Sequence, residues 1–413
     1  MKRKTIFLLI TSFFNPFYGM YFYQPFNDAL LLSREIPDKA DFSFLAAGGF
    51  TKAKQFNYDG HSVSSPFRLW YHTENTLKML EGLSAVAPET QFLNSLNADD
   101  DGVRGHMLLD GDFRLKAAVC MSAQLRLAEQ FSFLLFIPWY QTELVNIAMT
   151  DLTQSNNLGD RQVKDRLTKQ ISSVLSEYGN LSLTEWISQG VGDIGCYVKW
   201  ENDFVQYKPF LKNVFLQIRV GLQLPTAHTV SLHRLLSHSF GNNGATGLPF
   251  GAQLKLRLGT YFLCGFDVEL THLFNRTVTQ RIKTAVEQSE LFLLKKSDVH
   301  IDFGMNQSVM LFGKFLYEQR GLDFTFAYQY FKHGDDQITL NNSLYNQSIA
   351  NNARYLQEKT AHHLLLDGRC SIEKLCNRQW SVQPTVNCFF KLPFNGSNIV
   401  LTPMVGAGFQ IMF

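Results

Sequence analysis

Long apolar runs are missing from this chain. After residue 20 no uninterrupted hydrophobic stretch approaches the ~20 residues that a membrane helix needs, and the mean hydropathy is −0.10. Charge of one sign is missing too. Lys and Arg total 38 against 36 Asp and Glu, a net charge of +2, which leaves no electrostatic case for nucleic acid as a partner. Cysteine is sparse, with six in 413 residues and no CxxC, so a disulfide framework is not expected and most are read as small apolar side chains. No nucleophile elbow GxSxG, P-loop or HExxH occurs. Helical periodicity between the extended segments is scarce, which argues against a soluble α/β enzyme.

What the chain does have is alternation. Phe113, Leu115, Ala117, Val119, Met121, Ala123, Leu125 and Leu127 take every second place, with Arg114, Lys116 and Arg126 among the residues between them. The segment from Val214 to Leu224 and the run Leu254, Leu256, Leu258 repeat the pattern. Residues two apart share a face of a strand, and segments of about ten alternating residues are what a transmembrane β-barrel uses. Such a barrel hides its apolar band from hydropathy averages. Aromatics, 14% of the chain with 36 Phe, suit pleated surfaces and interfacial belts.

The alternation predicts strands over 41–51, 113–127, 131–148, 191–204, 212–225, 250–258, 262–274, 300–317, 322–332, 362–375, 379–392 and 399–413. The fold class expected is all-β: a single transmembrane antiparallel β-barrel of about twelve strands. Short connections alternate with long ones, the pattern of periplasmic turns and outer loops. The last connection, 393–398, breaks the rule, being an outer connection with only a tight Asn395-Gly396 turn. Helical spacing at 73–84 and at 161–178 (Val163, Leu167, Ile171, Val174 and Leu175) reads as turns on exposed loops, or as segments that fold into the lumen or cap the mouth.

The N-terminus reads as an export signal, with Lys2, Arg3 and Lys4 before an apolar core at 5–14. The organisation expected is a signal peptide over 1–19, an N-terminal periplasmic segment over 20–40 and the barrel over 41–413. The chain ends on alternating Phe409, Ile411 and Phe413. That ending resembles the C-terminal strand signal by which bacterial outer-membrane barrels are recognised for insertion. The resemblance implies outer-membrane lipid and the barrel-assembly machinery as partners.

Two further segments carry a resemblance. Gly190-Val191-Gly192-Asp193-Ile194-Gly195 opens one strand, and Pro225-Thr226 closes the next hairpin. They are similar to the GxGD and LPTG strand ends of the putative outer-membrane transporters associated with phenol-degradation (meta) pathways. Ala227 stands where that pattern has a Gly. The resemblance implies a channel or transporter for small, apolar or aromatic molecules.

For function, the more polar strand faces are taken as inward. Arg114, Lys116, Arg126, Lys199, Arg219, Lys255, Arg257 and Lys314 are then candidate lumen-lining residues, with Arg369 and Lys391 beside them. Glu201, Asp267, Glu269, Glu318, Asp323 and Asp367 supply the acids. Such charges would either bias a water-filled pore toward anions or pair across the interior and close it. The leading expectation is passage of a small-molecule solute through a mildly basic lumen. A closed barrel whose long loops bind a surface partner is the alternative. An outer-wall lipid hydrolase, with His272 and Ser308 as its strand-borne pair, comes third.

No catalytic residue, cofactor or metal is expected. Asn97, Asp99, Asp101 and Gly102 open like a calcium loop, but Leu108 stands where the closing Glu should be. His228, His233 and His238, five apart in one loop, read as neutral loop histidines.

Overall fold

The computed structural model describes residues 20–23, 37–81, 83, 88–96, 102–376 and 380–413. The expected signal peptide and three of the four residues of the calcium-like turn lie outside them. Twelve strands form one antiparallel sheet: β1 (Ala40–Gly49), β2 (His106–Ala128), β3 (Phe131–Asp151), β4 (Ile194–Val205), β5 (Leu211–Leu224), β6 (Gly247–Leu258), β7 (Phe262–Leu273), β8 (Asn306–Tyr317), β9 (Leu322–His333), β10 (Lys359–Ser371), β11 (Gln383–Ser397) and β12 (Met404–Met412). Each pairs with its sequence neighbour, and β12 pairs back to β1 from Asp41↔Met412 to Gly49↔Met404. The sheet is therefore a closed barrel, which gives every strand two partners and leaves no edge in hydrocarbon. All twelve expected strands are present, and so is the alternation of short and long connections.

The burial pattern is that of a membrane protein turned outward. Phe44, Met121, Ile218, Phe266, Leu311 and Phe409 are exposed, whereas Lys199, Arg219, Gln253, Asp267 and Gln329 are buried. In water this arrangement would be costly on both faces. In lipid it is required, since a charge on the outer wall at the midplane costs about 2–4 kcal/mol. Ring pairs Tyr261–Phe315 and Phe42–Phe413, with centroids 6.2 and 6.0 Å apart, sit at the short-turn end, where aromatic belts meet lipid headgroups. The chain is an outer-membrane β-barrel.

Several boundaries differ from expectation. The expected strand 300–317 is two: Lys296–Asp302 joins a three-stranded sheet with Arg276–Arg281 and Gln337–Leu340 above the barrel, and β8 begins afresh at Asn306. The unbroken alternation at the C-terminus hides a break at Thr402-Pro403. Ile399–Leu401 is fully buried against Lys54–Phe56 in a second small sheet, and only the residues from Met404 belong to the wall. Asn395-Gly396 is no turn. Both residues lie in β11, opposite His362 and Ala361, and the reversal falls at Asn398, whose φ is +53°. Residues from Ile372 leave the expected strand 362–375 as a helix, Ile372–Cys376.

The long connections pack together over the outer end. The segment 161–178 forms Leu158–Val163, a π turn Lys164–Thr168 and Ile171–Gly179, with all five helically spaced apolar residues buried in the main core. Of the readings of that segment as exposed turn, lumen insert or cap, the cap is the one found. Among the described residues of 73–84, Thr76–Leu80 are helical, capped by the Asn75 side chain, which accepts from the Leu77 and Lys78 N–H groups. Arg281 ties the cap together. Its buried guanidinium donates to the carbonyls of Gly179, Asn180, Leu232, Leu293 and Leu294.

Candidate functional site

At the periplasmic end the lumen opens into a vestibule of about 400 Å³. Strand register builds it. Arg257 on β6 and Lys314 on β8 both stand opposite Leu263 of β7, so they share a rung roughly 10 Å apart. Lys255 lies two residues further up β6. Arg369 and Lys374 close the far side, and Glu318 and Asp323 are the acids that line the space. Arg257 pairs with Glu318 at 2.6 Å, Lys314 with Asp323 at 2.8 Å and Arg369 with Asp367 at 2.6 Å. The Lys255 ammonium stands 5.8 Å from the centroid of the Phe215 ring. Three of the eight candidate cations, Lys255, Arg257 and Lys314, are thus brought into one space.

Midway up the barrel the interior is crossed by an ion cluster. Arg219 of β5 donates to both carboxylate oxygens of Asp267 at 2.7 Å and to Glu269 at 2.8 Å, both acids lying on β7. The strand between them, β6, presents Gly251 in register with Arg219 and Glu269. A Cβ there would fall 2.5 Å from the guanidinium carbon. The glycine is what lets the guanidinium lie flat across β6 and reach the next strand. Gln253 donates to Asp267 at 3.1 Å, Gln217 to Glu201 at 3.1 Å, and Lys199 to Gln124 at 3.1 Å. Sequence reading marked Arg219 and both acids as lumen residues but missed their union. Its signal was a lone Gly inside an otherwise good strand, a sign of close approach.

The remaining candidates lie elsewhere. Arg126 is at the periplasmic rim, donating to the carbonyls of Ala128 and Glu129. Arg114 and Lys116 do not face the lumen. Register shifts in β2 between Leu115 and Ala117, so the alternation flips there. Phe113 and Leu115 turn inward, fully buried, and the two cations stand half-exposed on the outer wall, near Asp112 and Glu143 respectively. A β-bulge inserts one residue and reverses every side chain beyond it. Phe409 and Phe413 are exposed on the wall beside β1. His272 faces outward, exposed, whereas Ser308 neighbours the buried Gln329, so the hydrolase pair is not assembled.

The outer half of the lumen is filled. Of the segment 20–40 expected to be periplasmic, Met20–Tyr23 lie inside the barrel, with Met20, Phe22 and Tyr23 buried; 24–36 fall outside the described residues, and Lys39 meets Phe413 at the short-turn end. Phe22 meets Phe113, Tyr140, His238 and Phe240 at centroid distances of 5.0–6.0 Å. Tyr23 meets Phe331 edge-on and His363 at a tilt, and Lys391 lies over its ring at 4.6 Å. A cavity of about 80 Å³ remains, walled by Tyr21, Phe22, Phe303 and Tyr355. At its polar side, burial opposes charge on Asp336, but the neighbouring His333 and Lys359 hold that carboxyl well below its usual range.

The three loop histidines do not converge. His228 meets Ser188, His233 contacts the Asn180 carbonyl, and His238 reaches Thr142. Burial pushes the His238 imidazole down to about 3. Among the described residues no three metal-ligating side chains come together.

The motif residues prove to be joinery. Thr226 donates to the Gly192 carbonyl at 2.7 Å and accepts from the Ile194 N–H at 3.0 Å. The Asp193 carboxylate accepts from the N–H groups of Ala227 and Asn242. A Cβ at Gly192 would meet Phe240, Tyr140 and Pro138 within 2.9 Å. These contacts break the strand after Trp186–Val191, which pairs with upper β3, and pin the following loop across the mouth.

No protein-family model matches the chain, nor does any curated protein sequence. Among solved structures it is similar to an outer membrane channel from Pseudomonas putida F1, at 10% identity and a TM-score of 0.48, over 92% of this chain and 97% of that one. It is also similar to the Pseudomonas putida toluene transporter TodX, at 8% identity and a TM-score of 0.34, over 96% and 95%. A third is the monoaromatic hydrocarbon channel CymD, at 9% identity and a TM-score of 0.30, over 94% and 91%.

Proposed function

We propose that this barrel passes small solutes across the outer membrane by a passive route that ends in a basic periplasmic mouth. The observation that carries the reading is the vestibule, where Lys255, Arg257, Lys314, Arg369 and Lys374 outnumber Glu318 and Asp323. Cations lining a confined aqueous space raise the local concentration of anions and lower that of cations. The mechanism is size exclusion plus electrostatic bias, with no covalent step and so no enzyme. Above the mouth, Arg219 and its two acids form a buried polar crossing. The filled outer half makes displacement of Met20–Tyr23 or of the capping loops a condition of passage.

Single-channel conductance of the refolded chain in a planar bilayer tests this, with selectivity read from the reversal potential. Discrete steps with anion preference are expected. Lys255→Glu with Arg257→Glu should weaken or reverse that preference. A barrel that inserts, shows heat-modifiable mobility and stays silent would overturn the channel reading. It would favour the alternative, a closed barrel whose outer loops meet a surface partner, for which the interior ion cluster and packed outer half speak.

A further inference from the structure

The outer cap is held at one point by acids that are buried together. Glu74, from the loop after β1, and Glu290, from the loop after β7, are both fully or almost fully buried. In each, Oε2 is buried with no hydrogen-bond partner. Glu290 is partly answered through its other oxygen, which accepts from the Arg354 N–H at 2.8 Å and lies 3.5 Å from the Lys283 ammonium. Lys283 also donates to the Tyr71 hydroxyl at 3.2 Å, and the Arg354 guanidinium lies over the Tyr71 ring at 4.3 Å. Glu74 sits beside Ser289 and Glu290. Three loops, contributing Tyr71 and Glu74, Lys283 and Glu290, and Arg354 and Tyr355, therefore meet around two buried carboxyls, with the Lys283 ammonium against Glu290. Two buried carboxylates this close cannot both ionise without cost, and an oxygen lacking a donor is tolerated far better in the protonated form.

We propose that the Glu74–Glu290 pair is a proton-controlled latch on the outer cap, which lets the three loops pack while Glu74 keeps its proton and loosens them when the proton leaves. Burial raises Glu290 too, but Lys283 and the Arg354 N–H favour its charged form, so the proton falls to Glu74, which has neither partner. Burial, with the like charge of Glu290, pushes Glu74 up to about 8. Its carboxyl in the opened cap returns to the ordinary range near 4.5. The folded value is raised, so the packed cap is favoured by protonation. Its stability falls as pH climbs from the ordinary value toward 8 and then levels off. One proton released on opening changes the opening equilibrium about tenfold per pH unit in that window.

Hydrogen–deuterium exchange on the full chain refolded in phospholipid vesicles tests the latch whether or not the barrel conducts. The informative range is pH 7–8, above the ordinary imidazole range, where His238 is largely neutral in both cap states. After correction for intrinsic rates, peptides covering 74–80, 283–290 and 354–356 should lose protection several-fold per pH unit, the slope flattening toward pH 8, while β5–β7 stay protected. Glu74→Gln should remove the slope. Glu74→Met, neutral and of similar length, serves if the amide variant does not fold. A flat wild-type profile overturns the proposal, and so does a neutral variant that keeps the wild-type slope. Should neither variant fold, the wild-type profile alone decides.

Discussion

Replacing Arg219 by Met is the sharpest perturbation the interior offers. The guanidinium makes three charge-assisted hydrogen bonds at 2.7, 2.7 and 2.8 Å, and it is fully buried, as Asp267 and Glu269 nearly are. Methionine fills much of the same volume, so the cost is electrostatic rather than steric. Two carboxylates would be left facing one another with Gln253 as the main remaining donor. Breaking a buried pair by removing one partner costs about 3–5 kcal/mol, and here one cation serves two acids, so about 4–5 kcal/mol is expected. That is a shift of about a thousandfold or more in the unfolding equilibrium. The triple change Arg219→Met, Asp267→Asn and Glu269→Gln removes the stranded charges and should recover all but about 1–2 kcal/mol, since a buried ion cluster replaced as a unit is often nearly neutral. Urea unfolding in vesicles, followed by tryptophan fluorescence and by the heat-modifiable gel shift, measures both. If the single variant falls within about 1 kcal/mol of wild type, or the triple variant is no better than the single, the account of the cluster is wrong.

Gly251→Val should disrupt the same cluster by sterics, because its Cβ would sit 2.5 Å from the Arg219 guanidinium; destabilisation of about 1–3 kcal/mol is expected in the same urea assay. Arg281→Met should leave the barrel folded but raise amide exchange several-fold around Gly179, Leu232 and Leu293, whose carbonyls lose their shared donor. His238 has a folded value depressed to about 3, so its contribution to cap stability is present above the ordinary imidazole range and fades as pH falls toward 3. Its ring resonances should not titrate between pH 5 and 8, and His238→Phe should make the cap less sensitive to acid when exchange is measured at pH 4–6.

The wall of this protein was legible in its sequence because a lipid-facing barrel repeats one simple rule. Every second residue must be apolar, the short turns fall at one end, and no edge is left. Phe266, Leu270 and Val405 announce their faces locally, with no knowledge of what lies across the lumen. That is why all twelve strands were found while their ends drifted. Local pattern also located the basic residues Lys255, Arg257 and Lys314, though the shared vestibule depends on register across three strands.

What sequence could not decide was anything set by a single inserted residue or by loops meeting loops. The bulge between Leu115 and Ala117 sends Arg114 and Lys116 to the outer wall, and alternation carries no mark of where parity flips. Ile399, Val400 and Leu401 continue the alternating pattern but are buried on every side, because Lys54–Phe56 arrives from the far end of the chain to pair with them. Met20–Tyr23 reads as a stretch of aromatics and becomes interior packing only because the lumen offers a space the size of Phe22. Apolar periodicity is a property of one segment and can be read from it. Burial of Glu74 beside Glu290, or of Arg219 across Gly251, is a property of several segments at once and exists only when the barrel has closed around them.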